Sequence, residues 1–298
     1  MRILLTGSAG QLGQELLPRL RELGEVIATS RAECDLGSAE AIRALVAAVR
    51  PSVIVNAAAY TAVDQAESQP ELAYAVNGTA PRVLAEAART LDAMLVHYST
   101  DYVFDGSKPG AYTEDDTPAP LNVYGASKLA GERLVMAAGG RSLVLRTSWV
   151  YGANGKNFLF TIRRLAHERA ELKIVDDQTG APTSVLQIAR ATATLVRQHA
   201  AAEASAFPAG VFHMTAAGNV SWYGFAQAVL AALSAEESFQ VQRILPIASD
   251  EYATAARRPL NSRLSNSKFE HAFGFRLQSW ETGLSEVVRE IRRRELKS

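Results

Sequence analysis

Short apolar runs alternate with longer amphipathic stretches along the first half of the chain. The apolar runs cover residues 3–5, 25–29, 53–55, 94–98 and 143–146, and leucines at helical spacing from Leu12 to Leu23 follow the first run. Such runs predict buried strands, whereas apolar residues three or four positions apart predict helices. Strands that alternate with helices are typical of a parallel sheet covered on both faces. The pattern therefore predicts an α/β fold with a doubly wound parallel sheet of the Rossmann type.

The second half of the chain contains weaker strand signals. We expect helices over 157–169 and 280–295 and strands over 173–175 and 210–214. Residues 1–150 would form a dinucleotide-binding Rossmann domain, with further strands and helices from about 172–198 and 210–255. Residues 151–298 would form mainly a smaller substrate-binding domain, interleaved with the first. The last helix has an apolar face, which predicts either internal packing or a dimer contact.

Composition excludes several classes of function. The 298 residues include 31 basic and 31 acidic side chains, so no basic excess favours a nucleic-acid partner. Cys34 is the single cysteine, which excludes an internal disulfide. The first apolar run is too short for a signal peptide or a membrane span. We therefore expect a cytoplasmic protein with neither a nucleic-acid nor a membrane partner.

A glycine turn follows the first predicted strand. Gly7, Gly10 and Gly13 are three residues apart, and Gln11 and Leu12 lie between the last two, where a helix begins. Gly7 would permit a tight turn, Gly10 a close approach of backbone to a pyrophosphate, and Gly13 close helix packing. The helix N-terminus would offer amide groups to the anion. This context predicts dinucleotide binding by these residues; the alternative is a purely structural turn.

The end of the second predicted strand carries Ser30 and Arg31. A site selective for NAD usually places an acidic residue there, against the ribose 2′-hydroxyl. A small hydroxyl and a guanidinium suit a 2′-phosphate better, so the sequence favours NADP(H), with NADH as a second candidate. Asp35 would accept a hydrogen bond from the adenine amino group, with Leu36 beneath the ring. Alternatively, Arg31 is a solvated charge and Asp35 leads into the next helix.

Small residues follow the third predicted strand, and a hydroxyl follows the fourth. Ala57, Ala58 and Ala59 leave room for a flat ligand at the carboxyl end of the sheet, where open α/β folds bind ligands. Right-handed crossovers bring the ends of parallel strands to one edge, so Thr100 should lie near these alanines. Its hydroxyl would hydrogen-bond a substrate carbonyl oxygen.

Tyr124 and Lys128 lie four residues apart at the start of a predicted helix. This spacing places both side chains on one face. A free tyrosine titrates at about 10, and a neighbouring ammonium lowers that pKa, so the pair could exchange a proton near neutral pH. Such a pair alone is more often an ordinary helix start. The glycine turn and Thr100 favour the acid–base interpretation.

These features occur together in chain order, and in this combination the chain resembles the extended short-chain dehydrogenase/reductases that act on nucleotide sugars. Longer stretches are similar to the dTDP-4-dehydrorhamnose reductases, namely residues 56–64, 99–106, 146–152, 177–183 and 258–262. The resemblance runs nearly end to end. It implies NADPH-dependent reduction of the C4 ketone of dTDP-4-dehydro-L-rhamnose, a dTDP-linked 4-keto-6-deoxy sugar, to dTDP-L-rhamnose.

The resemblance also implies roles for individual residues. Tyr124 would give its proton to the developing alkoxide, Lys128 would bind the nicotinamide ribose and keep the phenol acidic, and Thr100 would hold the keto oxygen. Other residues would contact the sugar nucleotide, with Arg258 as a clamp on the diphosphate: Val63, Asp64, Asp101, Tyr102, Trp149 and Arg258. Alternatively, some of these are core residues or solvated charges.

Other functions within and beyond this superfamily remain open. Related dehydratases carry an Asp-Glu pair after the threonine, whereas this chain has Asp101-Tyr102, which favours simple ketone reduction. Epimerisation is less favoured because it needs an oxidised cofactor through a full cycle. The regulatory beta subunit of methionine adenosyltransferase resembles this family, so a non-catalytic NADP-binding subunit is a rival hypothesis. A reductase of another nucleotide-linked 4-keto-6-deoxy sugar is a third.

Some members of this family hold Mg²⁺ at a dimer interface through glutamates. Glu15 and Glu290 align with two such positions, but the third falls near Leu186, which offers no oxygen ligand. Mg²⁺ requires oxygen ligands in near-octahedral geometry. We therefore predict that the chain binds no metal, and that a homodimer, if formed, pairs differently.

Overall fold

The computed structural model describes residues 1–202, 207–235 and 237–296. Its strands are β1 (Arg2–Thr6), β2 (Glu25–Thr29), β3 (Val53–Asn56), β4 (Met94–Thr100), β5 (Arg141–Thr147), β6 (Val150–Tyr151), β7 (Glu171–Val175), β8 (Thr179–Gly180), β9 (Thr183–Ser184), β10 (Gly210–His213), β11 (Val220–Ser221) and β12 (Arg243–Ile247). Its helices are α1 (Gln11–Arg21), α2 (Ala39–Val49), α3 (Val63–Ala66), α4 (Pro70–Tyr74), α5 (Ala80–Thr90), α6 (Val123–Ala138), α7 (Phe158–Glu168), α8 (Val185–Ala201), α9 (Trp222–Leu233), α10 (Ser267–Phe273) and α11 (Trp280–Glu295). A π-helical turn, Ala75–Thr79, joins α4 to α5.

A six-stranded sheet forms the centre of the molecule, in the order β10-β5-β4-β3-β1-β2. Every pairing within it is parallel. The register places Thr6 beside Thr29 and Asn56, and Thr100 beside Thr147, so these strands end along one edge. The predicted doubly wound parallel sheet is confirmed.

Strand periodicity divides the apolar residues between the two faces of this sheet. Ile3 and Leu5 face a core shared with α1, α8 and α10, whereas Leu4 and Ile54 face a core shared with α2 and α5. Successive strand residues point to opposite faces, which explains the division. Burial of each such side chain contributes about 1.5–3 kcal/mol.

A second core lies beside the central sheet. Strand β7 pairs with β12 in a separate two-stranded parallel sheet and does not extend the central one. Leu172 and Ile174 of β7 are buried with Phe225 and Val229 of α9. Strand β10 does extend the central sheet. The division into two functional domains stays a prediction.

The apolar face of the last helix is used inside the chain. Leu284, Val287, Val288 and Ile291 are all buried in the second core, so the packing alternative is correct for this face. Oligomeric state stays a prediction. In the described part of the chain, no helix combines the length and apolar character needed to cross a bilayer.

Helix α6 packs unusually close to its neighbours. A Cβ on Gly125 would lie 2.1 Å from the Tyr102 carbonyl oxygen, and one on Gly131 would lie 2.0 Å from the Asn77 carbonyl oxygen. The Asn122 side chain caps the helix by accepting a hydrogen bond from Gly125 N at 2.8 Å. Only glycine at these two helix positions allows the observed approach.

A buried ion pair fixes α6 to strand β5. Arg146 donates to both carboxylate oxygens of Glu132, at 2.9 and 2.7 Å. The two side chains are 4% and 3% exposed. The Arg146 guanidinium also lies 5.0 Å from the Phe104 ring centroid. Because the pair is removed from water, each charge depends on its partner.

We expect Glu132→Gln to lower the free energy of unfolding by about 3–5 kcal/mol, because it leaves the Arg146 charge buried without its counter-ion. Urea denaturation followed by circular dichroism measures this change. Glu168→Gln is the matched control, since it removes an exposed pair with Arg164 and should cost no more than about 1 kcal/mol. Equal losses in the two variants would contradict the assignment.

Candidate active site

A cleft of about 680 Å³ opens at the carboxyl edge of the central sheet. Most residues predicted for the site line it: Gly7, Gly10, Gln11, Leu12, Ser30, Arg31, Asp35, Leu36, Ala57, Ala58, Ala59, Val63, Thr100, Asp101, Tyr102, Tyr124, Lys128 and Trp149. Gly13, Asp64 and Arg258 are not among the lining residues. The topology therefore brings residues from distant parts of the sequence to one concave surface.

The glycine turn lines part of the cleft. Gly7 has a φ of 72°, and a Cβ there would lie 2.6 Å from Ala58 N. A Cβ on Gly13 would lie 2.1 Å from the Gly7 carbonyl oxygen, so Gly13 serves helix packing beneath the turn. Helix α1 begins after Gly10 without a side-chain cap. Its first amide groups are consequently available to an anion.

Thr100, Tyr124 and Lys128 line the same cleft. The Thr100 hydroxyl lies close enough to the Tyr124 phenol to lower its pKa. The Tyr102 and Tyr124 rings pack edge to face, with their centroids 5.7 Å apart. Lys128 is 2% exposed, and its Nζ donates to the Tyr98 carbonyl oxygen at 2.5 Å. A hydroxyl, a phenol and an ammonium are thus contributed to one cleft.

Burial changes the acid–base properties of this group. It raises the pKa of Tyr124 to about 12, although the Thr100 hydroxyl acts in the opposite direction. Burial also lowers the pKa of Lys128 to about 8, with a smaller opposing effect from Glu132. The Lys128 ammonium contacts the Tyr98 carbonyl oxygen and desolvation dominates the pKa of the phenol, so the role of Lys128 in keeping the phenol acidic stays a prediction. The phenol is protonated at neutral pH, as a proton donor must be.

Asp101 lies beside the catalytic candidates and is 3% exposed. Burial raises its pKa to about 6, against the hydrogen bonds from Ser262 and Thr100. Thr100 Oγ1 donates to Asp101 Oδ1 at 3.0 Å and accepts from Tyr102 N at 3.1 Å. The carboxyl group therefore orients the Thr100 hydroxyl.

Asp64 and Arg258 pair with each other at the rim. Arg258 donates to both carboxylate oxygens of Asp64, at 2.8 and 3.2 Å, and Ala256 N donates to the same carboxylate at 3.0 Å. The Arg258 hydrogen bond holds the pKa of Asp64 below its ordinary value. If Asp64 and Arg258 both contact a sugar nucleotide as predicted, the nucleotide must share or replace the hydrogen bonds between them.

Asn77 is a residue of the site region that the sequence did not reveal. It is fully buried, and its side chain bonds Tyr60 N, Tyr60 O and Ser127 Oγ at 2.9, 3.0 and 3.0 Å. It therefore ties the loop after β3 to helix α6. An asparagine inside a helical stretch gave no signal of this role.

Trp222 and Lys156 also line the cleft and were missed. Trp222 stacks on Trp149 with ring centroids 3.5 Å apart and an interplanar angle of 6°. Lys156 belongs to a loop that accepts a hydrogen bond from Gln11 Nε2 at 3.1 Å. The glycines near Lys156 were the one sequence feature that could have indicated a ligand-binding loop there. The aromatic pair depends on a contact between distant segments.

The residues present fit a dinucleotide. Three buried polar atoms of cleft-lining residues, Ser99 Oγ, Asp101 Oδ2 and Thr147 Oγ1, have no hydrogen-bond partner within the described residues. Buried polar groups are normally satisfied, so these atoms are suited to a polar ligand. The open helix N-terminus at Gly10 suits a pyrophosphate.

The residues aligned with a family Mg²⁺ site do not fit that ion. Arg294 donates to Glu15 and to Glu290, both at 2.6 Å, and so occupies both carboxylates. Leu186 is buried in the second core. Across 1–202, 207–235 and 237–296, no group of three or more His, Cys, Asp or Glu side chains is placed to hold a metal.

Comparisons with known proteins agree with this arrangement. Residues 1–293 match the family model of the RmlD substrate binding domain. The dTDP-4-dehydrorhamnose reductase of Burkholderia thailandensis is 49% identical over 298 residues, covering 98% of this chain and 99% of the relative. The enzyme of the same name from Escherichia coli K12 is 42% identical over 296 residues, covering 98% of each chain. The crystal structure of dTDP-4-dehydrorhamnose reductase from Bacillus anthracis in complex with NADP superposes with a TM-score of 0.89, at 35% identity, over 97% of this chain and 99% of that one.

We expect Asp101→Asn to flatten the pH dependence of stability. Since the folded-state pKa is raised to about 6, the stability associated with Asp101 is fully present below its unfolded pKa and is lost as pH rises through 6. The wild type should lose about 2–3 kcal/mol of unfolding free energy relative to the variant as the pH rises from about 4 to 7. Urea titrations across this range test the prediction. Asp115→Asn removes an exposed carboxylate and should not reproduce the gain.

We expect chelation to leave the assembly of this protein unchanged, because arginines already pair with both carboxylates. Arg19 and Arg294 pair with Glu15, and Arg293 and Arg294 pair with Glu290. Light scattering with and without a chelator, and again with added Mg²⁺, measures the molar mass. A mass that depends on Mg²⁺ would contradict the prediction.

Proposed function

The chain belongs to the family of the RmlD substrate binding domain, which includes the curated dTDP-4-dehydrorhamnose reductases, and on this premise we propose that it reduces dTDP-4-dehydro-L-rhamnose to dTDP-L-rhamnose with NADPH. The observation that carries the proposal is that Thr100, Tyr124 and Lys128 line the same cleft as the glycine turn, with Thr100 close to the Tyr124 phenol. A ketone beside the Tyr124 phenol would meet a proton donor, and the Thr100 hydroxyl would be a second donor once its proton turned from Asp101 to the ketone oxygen.

Bound NADPH supplies the hydride for this reaction. Thr100 and Tyr124 hold the keto oxygen, and Tyr124 gives its proton to that oxygen as negative charge develops. An alkoxide is more basic than a phenolate, so a phenol with a pKa of about 12 still donates its proton. The buried Lys128 ammonium would have to leave the Tyr98 carbonyl oxygen to stabilise the phenolate. Low solvent access strengthens each of these electrostatic interactions.

Other cleft residues position the sugar nucleotide. Val63, Tyr102 and Trp149 form apolar and aromatic walls for the sugar and base. Arg258 binds the diphosphate after sharing or releasing Asp64, because a fork-shaped guanidinium suits phosphate oxygens. The chain works in the cytoplasm as a monomer or a metal-independent homodimer.

Two alternatives lead to different outcomes. A non-catalytic NADP-binding subunit has no chemical need for the complete set of Thr100, Tyr124 and Lys128. A reductase of another nucleotide-linked 4-keto-6-deoxy sugar would use the same set with a different sugar pose. The first alternative predicts cofactor binding without turnover, and the second predicts turnover with another substrate.

The test is substrate-dependent oxidation of NADPH, followed by absorbance, with the 4-keto sugar generated in situ by an epimerase. Oxidation that requires both protein and sugar supports the proposal. We expect Tyr124→Phe to bind NADPH normally but to lose about 10²–10⁴-fold in turnover, the usual contribution of a general acid. Tyr223→Phe is the matched control, since that phenol bonds Gln227 on α9 and is not a lining residue of the cleft. A Tyr124→Phe variant with a near-normal rate would exclude the acid role.

A further inference from the structure

Glu33 turns back onto the end of strand β2. Ser30 N donates to Glu33 Oε2 at 2.6 Å, and the Ser30 hydroxyl donates to the same oxygen. The turn is closed by Glu33 N and Cys34 N, which donate to the Ser30 carbonyl oxygen at 3.2 and 3.1 Å. Both Ser30 donors are therefore directed at a single anionic oxygen.

This turn lies next to the glycine turn. Thr29 pairs in register with Thr6, and Ser8 N donates to the Thr29 carbonyl oxygen at 3.0 Å. Ser30 and Arg31 both line the cleft. In doubly wound folds, the end of the second strand meets the 2′ position of the adenosine ribose, and the residue there distinguishes NAD from NADP.

The Ser30 donors form a cradle that holds an anion within the chain itself. The Ser30 hydroxyl and amide keep the pKa of Glu33 below its ordinary value, so this carboxylate is charged at neutral pH. A 2′-phosphate requires the same donors as Glu33 and carries charge of the same sign. Arg31 is exposed at the rim and would attract that phosphate.

We propose that Glu33 is a coenzyme-specificity residue that competes with the 2′-phosphate of NADP(H) for Ser30 and so weakens the preference for NADP(H) over NAD(H). With NAD(H) the carboxylate keeps its bonds to Ser30 and meets a hydroxyl rather than a second anion. With NADP(H) it must leave the cradle. Arg31 therefore favours binding of NADP(H), whereas Glu33 favours binding of NAD(H). This inference rests on the proposed function for its cofactor class.

The experiment compares two nucleotides that differ only by one phosphate, adenosine 2′,5′-bisphosphate and 5′-AMP, by isothermal titration calorimetry. Glu33→Gln should bind the bisphosphate about five- to tenfold more tightly than the wild type, the size expected for removing a like charge at contact distance near the surface. Binding of 5′-AMP should stay the same or weaken slightly. Arg31→Ala should weaken the bisphosphate alone.

Glu40→Gln is the matched control, because it removes another exposed carboxylate at the start of α2 that has no bond to Ser30. The inference is overturned if Glu33→Gln leaves bisphosphate affinity at the wild-type value, or if it changes both nucleotides by the same factor. Neither measurement involves a sugar substrate, so a failed reductase assay leaves this test intact. If both nucleotides fail to bind the wild type, the proposed function and the inference fall together. In a working enzyme, the ratio of kcat/KM for NADPH to that for NADH should rise by a similar factor in Glu33→Gln.

Discussion

The buried ion pair between Glu132 and Arg146 is the interaction on which the candidate active site depends. It joins helix α6 to strand β5, and neither side chain has meaningful access to water. The same helix carries Tyr124 and Lys128 and approaches its neighbours at Gly125 with no space for a side chain. A charge pair of this kind adds little net stability over an apolar pair, but it tolerates no misplacement. The helix therefore holds its reactive groups in one register against the sheet.

Desolvation explains the electrostatic state of the cleft. Burial disfavours the charged form of every group, so it raises the pKa values of Tyr124 and Asp101 and lowers that of Lys128. The phenol thus keeps its proton until negative charge develops nearby, and the Asp101 carboxyl directs the Thr100 hydroxyl. A site with these properties suits the reduction of a carbonyl group, in which a neutral acid must meet a new anion.

The second half of the chain completes the cleft through polar contacts across its rim. Arg258 bonds Asp64, and the Asn122 side chain donates to the Arg257 carbonyl oxygen at 2.7 Å. Gln11 accepts a hydrogen bond from Asn157 at 2.8 Å. Each contact joins segments more than a hundred residues apart, so the second half of the chain is tied to the first by side-chain hydrogen bonds.

The alternation of strands and helices, the glycine turn and the spacing of Tyr124 and Lys128 could be predicted from the sequence, because each depends on residues that are near one another in the chain. The sequence also indicated that Thr100 would reach the same sheet edge, since parallel strands connected by right-handed crossovers end together. Only the tertiary structure decided which partner each polar group takes. It placed Lys128 on the Tyr98 carbonyl, sent β7 to pair with β12, and turned Glu33 onto Ser30. The physical reason is that desolvation and hydrogen-bond partners depend on the packing of the whole chain, whereas periodicity and turn geometry are local.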